Sequence, residues 1–316
     1  MHANNSSGHH YFTDFNVSDK MRLSILIPTF NYVCVQLVQD LALQCKQCSL
    51  LEEYEIIVAD DCSDTETITQ NRKINLITNC HYQESDTNLG RSRILNKMTK
   101  QMKYEWVLII DSDAEVCSDT FISTYLSAAK GNDVICGGIK TSAKYSRTDN
   151  QLRYRYEENA HSIRSMKYRG SHPYMRFSSF NIMINATVFH SVNFDDSIVQ
   201  YGYEDTLFGI GLKRCGINIT HIDNPLIHTG IDSNLTYLIK TEKALQNLRI
   251  IKDKLQEGSI LYQTFLRLQR CHLLPLVRIW HMLFANIERK NLLSHHPSLF
   301  VFNIYKLGYF TMLNDN

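Results

Sequence analysis

Proline and glycine are scarce, 5 and 13 residues in 316. A β-sandwich full of tight turns, or a disordered chain, would need more of both. An excess of one charge is also missing. The 33 Lys and Arg and 32 Asp and Glu leave a net +1, so bulk electrostatics gives no case for nucleic acid as a partner. No apolar run approaches the ~20 residues that cross a bilayer. Residues 1–20, MHANNSSGHHYFTDFNVSDK, lack the apolar core of a secretory signal and read as a disordered polar tail, with Met21 as a candidate start. The CxxC of Cys45 and Cys48 has no second pair at zinc spacing, and the nine scattered cysteines read as thiols of a reducing compartment. Without a secretory signal, the Asn-X-Ser/Thr triplets, those at Asn5, Asn16, Asn185, Asn218 and Asn234 among them, read as chance.

What is present is an alternation of short apolar runs and helical stretches. Residues 22–27 (RLSILI), 54–59 (YEIIVA) and 106–110 (WVLII) predict strands buried on both faces of a parallel sheet. Helices are expected over 33–48, from 88–96 to about 103, and over 119–129, with a further strand at 134–139. This β-α-β-α order predicts an α/β fold with a largely parallel sheet and right-handed crossovers. Later strands are expected at 178–184 and 217–222. Between them lies a helix over 201–214, ended by Gly216. Residues 141–177 are basic and rich in tyrosine and arginine, either a mobile lid over an anionic ligand or a solvated connection. From Thr236 the pattern turns helical, with Ala244, Leu248, Ile251 and Leu255 on one face. Residues 259–316 carry six Lys or Arg against two acids among many aromatics. Such a segment lies on an anionic membrane or packs as a helical subdomain.

Each early strand ends in polar residues. Asp111-Ser112-Asp113 follows the most apolar strand. In an extended chain positions i and i+2 share a face, so Asp111 and Asp113 can point the same way. Open α/β sheets bind ligands at this C-terminal lip. A hard divalent ion held by one or two carboxylates and a substrate's phosphates suits it. A solvated acidic turn is the plain alternative. The first strand ends in Pro28-Thr29-Phe30-Asn31 and the second in Asp60-Asp61-Cys62-Ser63. Asn88-Leu89-Gly90-Arg91 opens the next helix, and Gly202-Tyr203-Glu204-Asp205 comes later.

The order and spacing of these motifs over roughly residues 22–235 resemble the family 2 glycosyltransferases of GT-A fold. The resemblance implies a Rossmann-like, mostly parallel central sheet flanked by helices. It implies a GT-A domain at 21–235, with a nucleotide-sugar half to about 140 and an acceptor half beyond it, then a helical, basic, amphipathic extension at 236–316. It further implies an inverting, metal-dependent transferase. Such an enzyme moves a hexose or N-acetylhexosamine from a UDP-sugar to a hydroxyl of a glycan or lipid-linked saccharide, in surface polysaccharide or lipopolysaccharide assembly. The expected setting is the cytoplasm, with peripheral contact to the cytoplasmic face of the inner membrane through 259–316.

On that resemblance Pro28, Thr29, Phe30 and Asn31 flank the base, and Asp60 or Asp61 accepts the uracil N3–H. Asn88, Gly90 and Arg91 serve the nucleotide sugar, Arg91 through its diphosphate. Asp111 touches the ribose or binds the metal through water, and Ser112 is among the nucleotide-sugar-binding residues. Asp113 is the direct ligand of Mn2+ or Mg2+, with Asp111 through water and His228, in NPLIHTG, as a third ligand. Asp205 is the base that takes the acceptor hydroxyl's proton and Glu204 orients the acceptor, with the swap open. One departure stands out. Ile94-Leu95-Asn96 lacks the arginine that the family commonly carries there, and Arg93 is the candidate substitute. A sugar-1-phosphate nucleotidyltransferase is an alternative, but it would need a Gly-rich basic loop after the first strand. A non-catalytic nucleotide-sugar-binding membrane partner is the other.

Overall fold

The computed structural model describes residues 20–175, 177–198, 202–255 and 258–313; most of the expected tail, 1–19, lies outside the described residues. The chain begins with β1 (Met21–Thr29), α1 (Val35–Gln47), β2 (Leu51–Asp60), α2 (Thr65–Asn71), β3 (Cys80–Glu84), α3 (Arg91–Thr99) and β4 (Trp106–Ile110). It continues with β5 (Ala114–Glu115), α4 (Phe121–Ala128), β6 (Val134–Cys136) and β7 (Ile139–Lys140). Three short helices follow, α5 (Gln151–Asn159), α6 (His161–Arg164) and α7 (Met166–Ser171). Then come β8 (Asn181–Asn185), α8 (Ala186–Val192), α9 (Glu204–Arg214), β9 (Ile219–His221) and β10 (Leu226–His228). Four helices end the described chain: α10 (Asn234–Ile251), α11 (Ile260–Arg270), α12 (Leu274–Leu292) and α13 (Leu299–Met312).

The main sheet has seven strands in the order β3-β2-β1-β4-β8-β6-β9. β1 pairs in parallel with β2 and β4, and β2 with β3. Both faces are covered. Leu23, Ile25 and Ile27 of β1 join α1 and α4 in one core, while Leu26 joins α3, α8 and α9 in another. Each such side chain, fully withdrawn from water, contributes roughly 1.5–3 kcal/mol. This two-sided burial explains why the strands read as continuous apolar runs. Because β1, β2 and β4 run the same way, Thr29, Asp60 and Ile110 end at one edge. The strand order reverses between β1 and β4, which makes a crevice at that edge.

Two features depart from the expected pattern. β8 is antiparallel to both neighbours, because the chain leaves the sheet through α5–α7 and returns from the opposite side. The strand expected at 134–139 breaks at Gly137-Gly138, where Gly138 adopts φ +103°. β6 stays in the main sheet, and β7 crosses to a small sheet of order β5-β10-β7. In that small sheet His228 pairs with Ala114. This register brings β10's last residue to the end of the Asp-Ser-Asp turn.

The 141–177 segment is not a loose lid. Leu152 and Glu157 of α5 are buried, and Leu152 shares a core with Tyr237, Leu238, Phe302 and Tyr305 of α10 and α13. The C-terminal helices thus pack on the body through α5. α12 still exposes Leu276, Ile279, Trp280, Leu283 and Ile287, spaced along one helical face. Among the described residues, no helix is long and apolar enough to cross a membrane. All nine cysteines fall within the described residues and are free thiols.

Candidate active site

The loops at the sheet's C-terminal edge are stapled to one another. The Asn31 N–H donates to Ser63 Oγ at 2.7 Å, and Asn31 Oδ1 accepts from the Asp64 N–H at 2.8 Å. Asn31 therefore ties the first loop to the second, while Phe30 beside it is left 53% exposed. Pro28 is half-buried, and Thr29 is buried with its hydroxyl donating to Tyr32 O. Asp60 is fully buried, and its carboxylate accepts from Tyr82 Oη and the Ser63 N–H, both at 2.7 Å. Asp61 beside it is buried as well, so both candidates for the base have their carboxylates engaged within the protein. Asp61 in turn accepts from the Leu89 and Gly90 N–H groups at 2.7 and 2.8 Å, and Asn88 Nδ2 donates to its carbonyl. Gly90 has φ +82°, a backbone that a side chain would strain.

Arg91, the first residue of α3, reaches across the crevice. Its guanidinium donates to Asp111 at 2.6 Å, to Asp205 at 3.2 Å and to Ser179 Oγ at 2.8 Å. Burial opposes its charge, but Asp111, Asp205 and Glu204 hold its pKa above the usual range. Burial raises the Asp111 carboxyl above its ordinary range, with Arg91 opposing and Asp113 adding to the rise. Arg91, expected to meet the diphosphate, pairs here with two carboxylates, as a half-buried guanidinium needs counter-charge. Arg93 does not take the place of the missing arginine. It lies outside the crevice, donating to Asp196 O at 3.1 Å.

Glu204 and Asp205 open α9, where acids also suit the helix dipole. Asp205 accepts from Arg91, the Ser179 N–H and the hydroxyls of Ser178 and Ser179. Glu204 accepts from the Gly202 N–H at 2.9 Å, and burial, with Asp205 adding, raises its pKa. Ser112 is buried in the turn.

Asp113 and His228 meet beyond it. His228 Nε2 lies 3.0 Å from Asp113 Oδ2, and His228 Nδ1 lies 2.9 Å from Glu157 Oε1. An imidazole with a carboxylate at each nitrogen carries both protons. Burial opposes this, yet Asp113 and Glu157 lift its pKa to about 9. Against burial, His228 holds Asp113 below its usual range, and His228 with Arg153 does the same for Glu157. Gly230 is required here, because a Cβ at that position would overlap the Asp113 carboxylate.

The expected metal set is only partly assembled. Asp111 faces Arg91, not Asp113 and His228, and among the described residues no three His, Cys, Asp or Glu side chains form a metal-holding group. Asp113 and His228 do converge as an oxygen and a nitrogen donor. They fit an ion completed by phosphate oxygens and water, not an all-protein cage. Glu157 would then accept the other ring N–H, the usual support of a metal-bound imidazole.

Glu157, Ser178 and Ser179 were not found from the sequence. Glu157 is an acid in a basic stretch, and its i−4 partner Arg153 was visible, but nothing local announces its reach to His228. The two serines precede a predicted strand as ordinary turn residues would.

Comparison with known proteins follows the geometry. A family model described as glycosyl transferase family 2 matches residues 24–194. The poly(ribitol-phosphate) beta-N-acetylglucosaminyltransferase TarS of Staphylococcus aureus is 33% identical over 104 residues, 32% of this chain. That stretch spans 18% of the relative's length. The structure of S. aureus TarS 1–349 with UDP-GlcNAc aligns over 92% of this chain and 90% of that one, with TM-score 0.52 and 15% identity. The mannosyltransferase PcManGT from Pyrobaculum calidifontis, in complex with GDP-Man and Mn2+, aligns over 76% of this chain and 66% of that one, with TM-score 0.53 and 12% identity. At such identities the structural likeness speaks to the fold, a mixed α/β architecture of GT-A type.

Proposed function

The chain belongs to glycosyltransferase family 2, and from that membership we propose that this glycosyltransferase moves a hexose or N-acetylhexosamine, with inversion, from a UDP-sugar to a hydroxyl of a glycan or lipid-linked acceptor. One observation carries the reading. Arg91 joins Asp111, at the end of the central strand, to Asp205, at the start of α9. The acids suited to a nucleotide sugar and the acid suited to an acceptor hydroxyl therefore border one crevice.

Phe30 offers an exposed ring face to a base, and the Asp61–Gly90 clamp shapes the floor beside it. Asp113 and His228 would hold Mn2+ or Mg2+, which, when bound, stabilises charge on the departing diphosphate as a Lewis acid. Asp205 takes the proton of the acceptor hydroxyl. That oxygen bonds the anomeric carbon as the opposite C–O bond breaks, and UDP leaves with the electron pair. Glu204 orients the acceptor. The S. aureus relative's name and its UDP-GlcNAc complex support a UDP-sugar donor. The Mn2+ of the P. calidifontis complex supports a divalent ion. The apolar stripe of α12, beside exposed Arg270 and Lys290, supports peripheral contact of 259–316 with an anionic membrane, at the cytoplasmic face in the setting of surface polysaccharide assembly. We divide the chain as a transferase domain at 21–235 and a helical extension beyond it.

The test is UDP binding by calorimetry, with and without Mn2+, on wild type and Asp113→Asn, with GDP as control. Metal-dependent UDP binding that weakens in the variant is expected. Metal-independent binding, or preference for GDP, overturns the donor and metal assignments. Asp205→Asn should keep UDP binding and lose transfer; unchanged turnover removes Asp205 from the role.

A further inference from the structure

A cavity of about 320 Å3 opens beside the serines that hold Asp205. Ser178 lines it, and the Ser178 hydroxyl donates to Asp205 Oδ2 at 3.2 Å. Arg153, Arg164 and Arg169 line it too, with Tyr156 and Phe177 among its apolar walls, and no carboxylate is among the described lining residues.

Three guanidiniums line the cavity, while the acids that act on them, Glu157, Asp113 and Asp223, stand outside its described lining. Glu157 pairs with Arg153 at 2.5 Å and with Arg164 at 3.4 Å, so one carboxylate serves two guanidiniums and His228 as well. Arg169 is buried and donates to the carbonyls of Cys136, Gly137 and Ile222. These neutral oxygens satisfy its donors, and Asp223 acts on its charge from outside the described lining. Cations gathered around a half-enclosed space favour an anion within it, and the guanidinium fork matches phosphate oxygens.

The cavity's lining and the donor candidates come from different stretches of the chain. All its described lining residues lie between 136 and 181, whereas the candidates for the base, ribose and diphosphate lie between 28 and 113. One end of the cavity touches the residue that holds Asp205. The other reaches His228 through Arg153 and Glu157.

We propose that the cavity binds an anionic group of the acceptor, a phosphate or phosphodiester carried close to the hydroxyl that is glycosylated, with Arg153 and Arg164 as its recognising side chains and Tyr156 and Phe177 against the carbon skeleton. The proposal rests on the reading of Asp205 as the acceptor-side base. It narrows the acceptor class from any glycan to one bearing phosphate.

The test uses the full-length protein saturated with UDP and Mn2+, titrated calorimetrically with sn-glycerol 3-phosphate and, separately, glycerol. Binding of the phosphate ester without measurable binding of glycerol is expected. Arg153→Gln and Arg164→Gln, each saturated with UDP and Mn2+, should weaken it about tenfold or more, with metal-free UDP affinity kept within twofold. No binding of the ester in the UDP-saturated wild type overturns the proposal, and that titration stands whether or not the variants fold. Binding only when UDP is absent also overturns it, because the cavity would then be part of the donor's diphosphate site. If UDP itself fails to bind, the donor reading fails by itself, and the ester titration is run without UDP and decided on the same criteria.

Discussion

Glu157 and His228, 71 residues apart, share a buried hydrogen bond of 2.9 Å. It links the basic 141–177 segment to the strand-end acids, since the other imidazole nitrogen faces Asp113. The bond fixes the ring with Nε2 facing Asp113 Oδ2. Under the metal role proposed for Asp113 and His228, Glu157 is a positioning residue that acts through His228.

Removing it should separate fold from site. In Glu157→Ala two guanidiniums and an imidazolium lose their shared carboxylate, and urea unfolding should show a loss of about 3–5 kcal/mol. Glu157→Gln keeps the shape and one acceptor, so the fold should survive. Mn2+ affinity in the presence of UDP should then fall about 10- to 100-fold, with metal-free UDP binding unchanged. Equal Mn2+ affinity in wild type and Glu157→Gln would mean that the carboxylate only neutralises its arginines.

The same pair sets a pH dependence. The His228 pKa is raised from 6.5 to about 9. A group raised on folding stabilises the ligand-free protein fully below its unfolded pKa and loses that contribution as pH rises through its folded one. The shift corresponds to roughly 3–4 kcal/mol. With metal chelated, the stability gap between wild type and His228→Gln should be widest near pH 6 and close towards pH 9.5. A gap that does not change with pH would show that the imidazole is neutral in the folded protein.

Much of this arrangement was legible because it is local. The runs at 22–27, 54–59 and 106–110 announced buried parallel strands, and parallel strands carry their end residues to one edge. The order of the polar strand ends therefore indicated the crevice. His228 beside Asp113 was expected, though as a ligand and not as an ion-paired imidazole. The rest depended on contacts that no local pattern encodes. β8 reads as an ordinary strand, and only its long approach through α5–α7 makes it antiparallel. Glu157 sits on a helix whose pattern is mostly polar, and its burial follows from β10 lying against it. Arg91 was expected to meet an anion, but the sequence could not say that two carboxylates of this chain would fill that role.

Arg91 offers the sharpest test of how the two sides of the crevice are coupled. Its fork reaches Asp111, Asp205 and Ser179 together. A lysine keeps the charge but offers a single point, so it can hold one carboxylate well and not both. Arg91→Gln removes the charge and leaves Asp111, Asp205 and Glu204 facing one another. The partners are a quarter to a third exposed, so solvent screens part of the cost, and a loss of about 1–3 kcal/mol is expected in urea unfolding. Arg91→Lys should recover most of that stability. If Arg91 orients Asp205, kcat in Arg91→Lys should stay at least tenfold below wild type with the donor KM nearly unchanged. If the arginine instead swings to the diphosphate once the donor arrives, the donor KM should rise in both variants. Full recovery of both kcat and KM by lysine would leave Arg91 only a charge-balancing role between two acids.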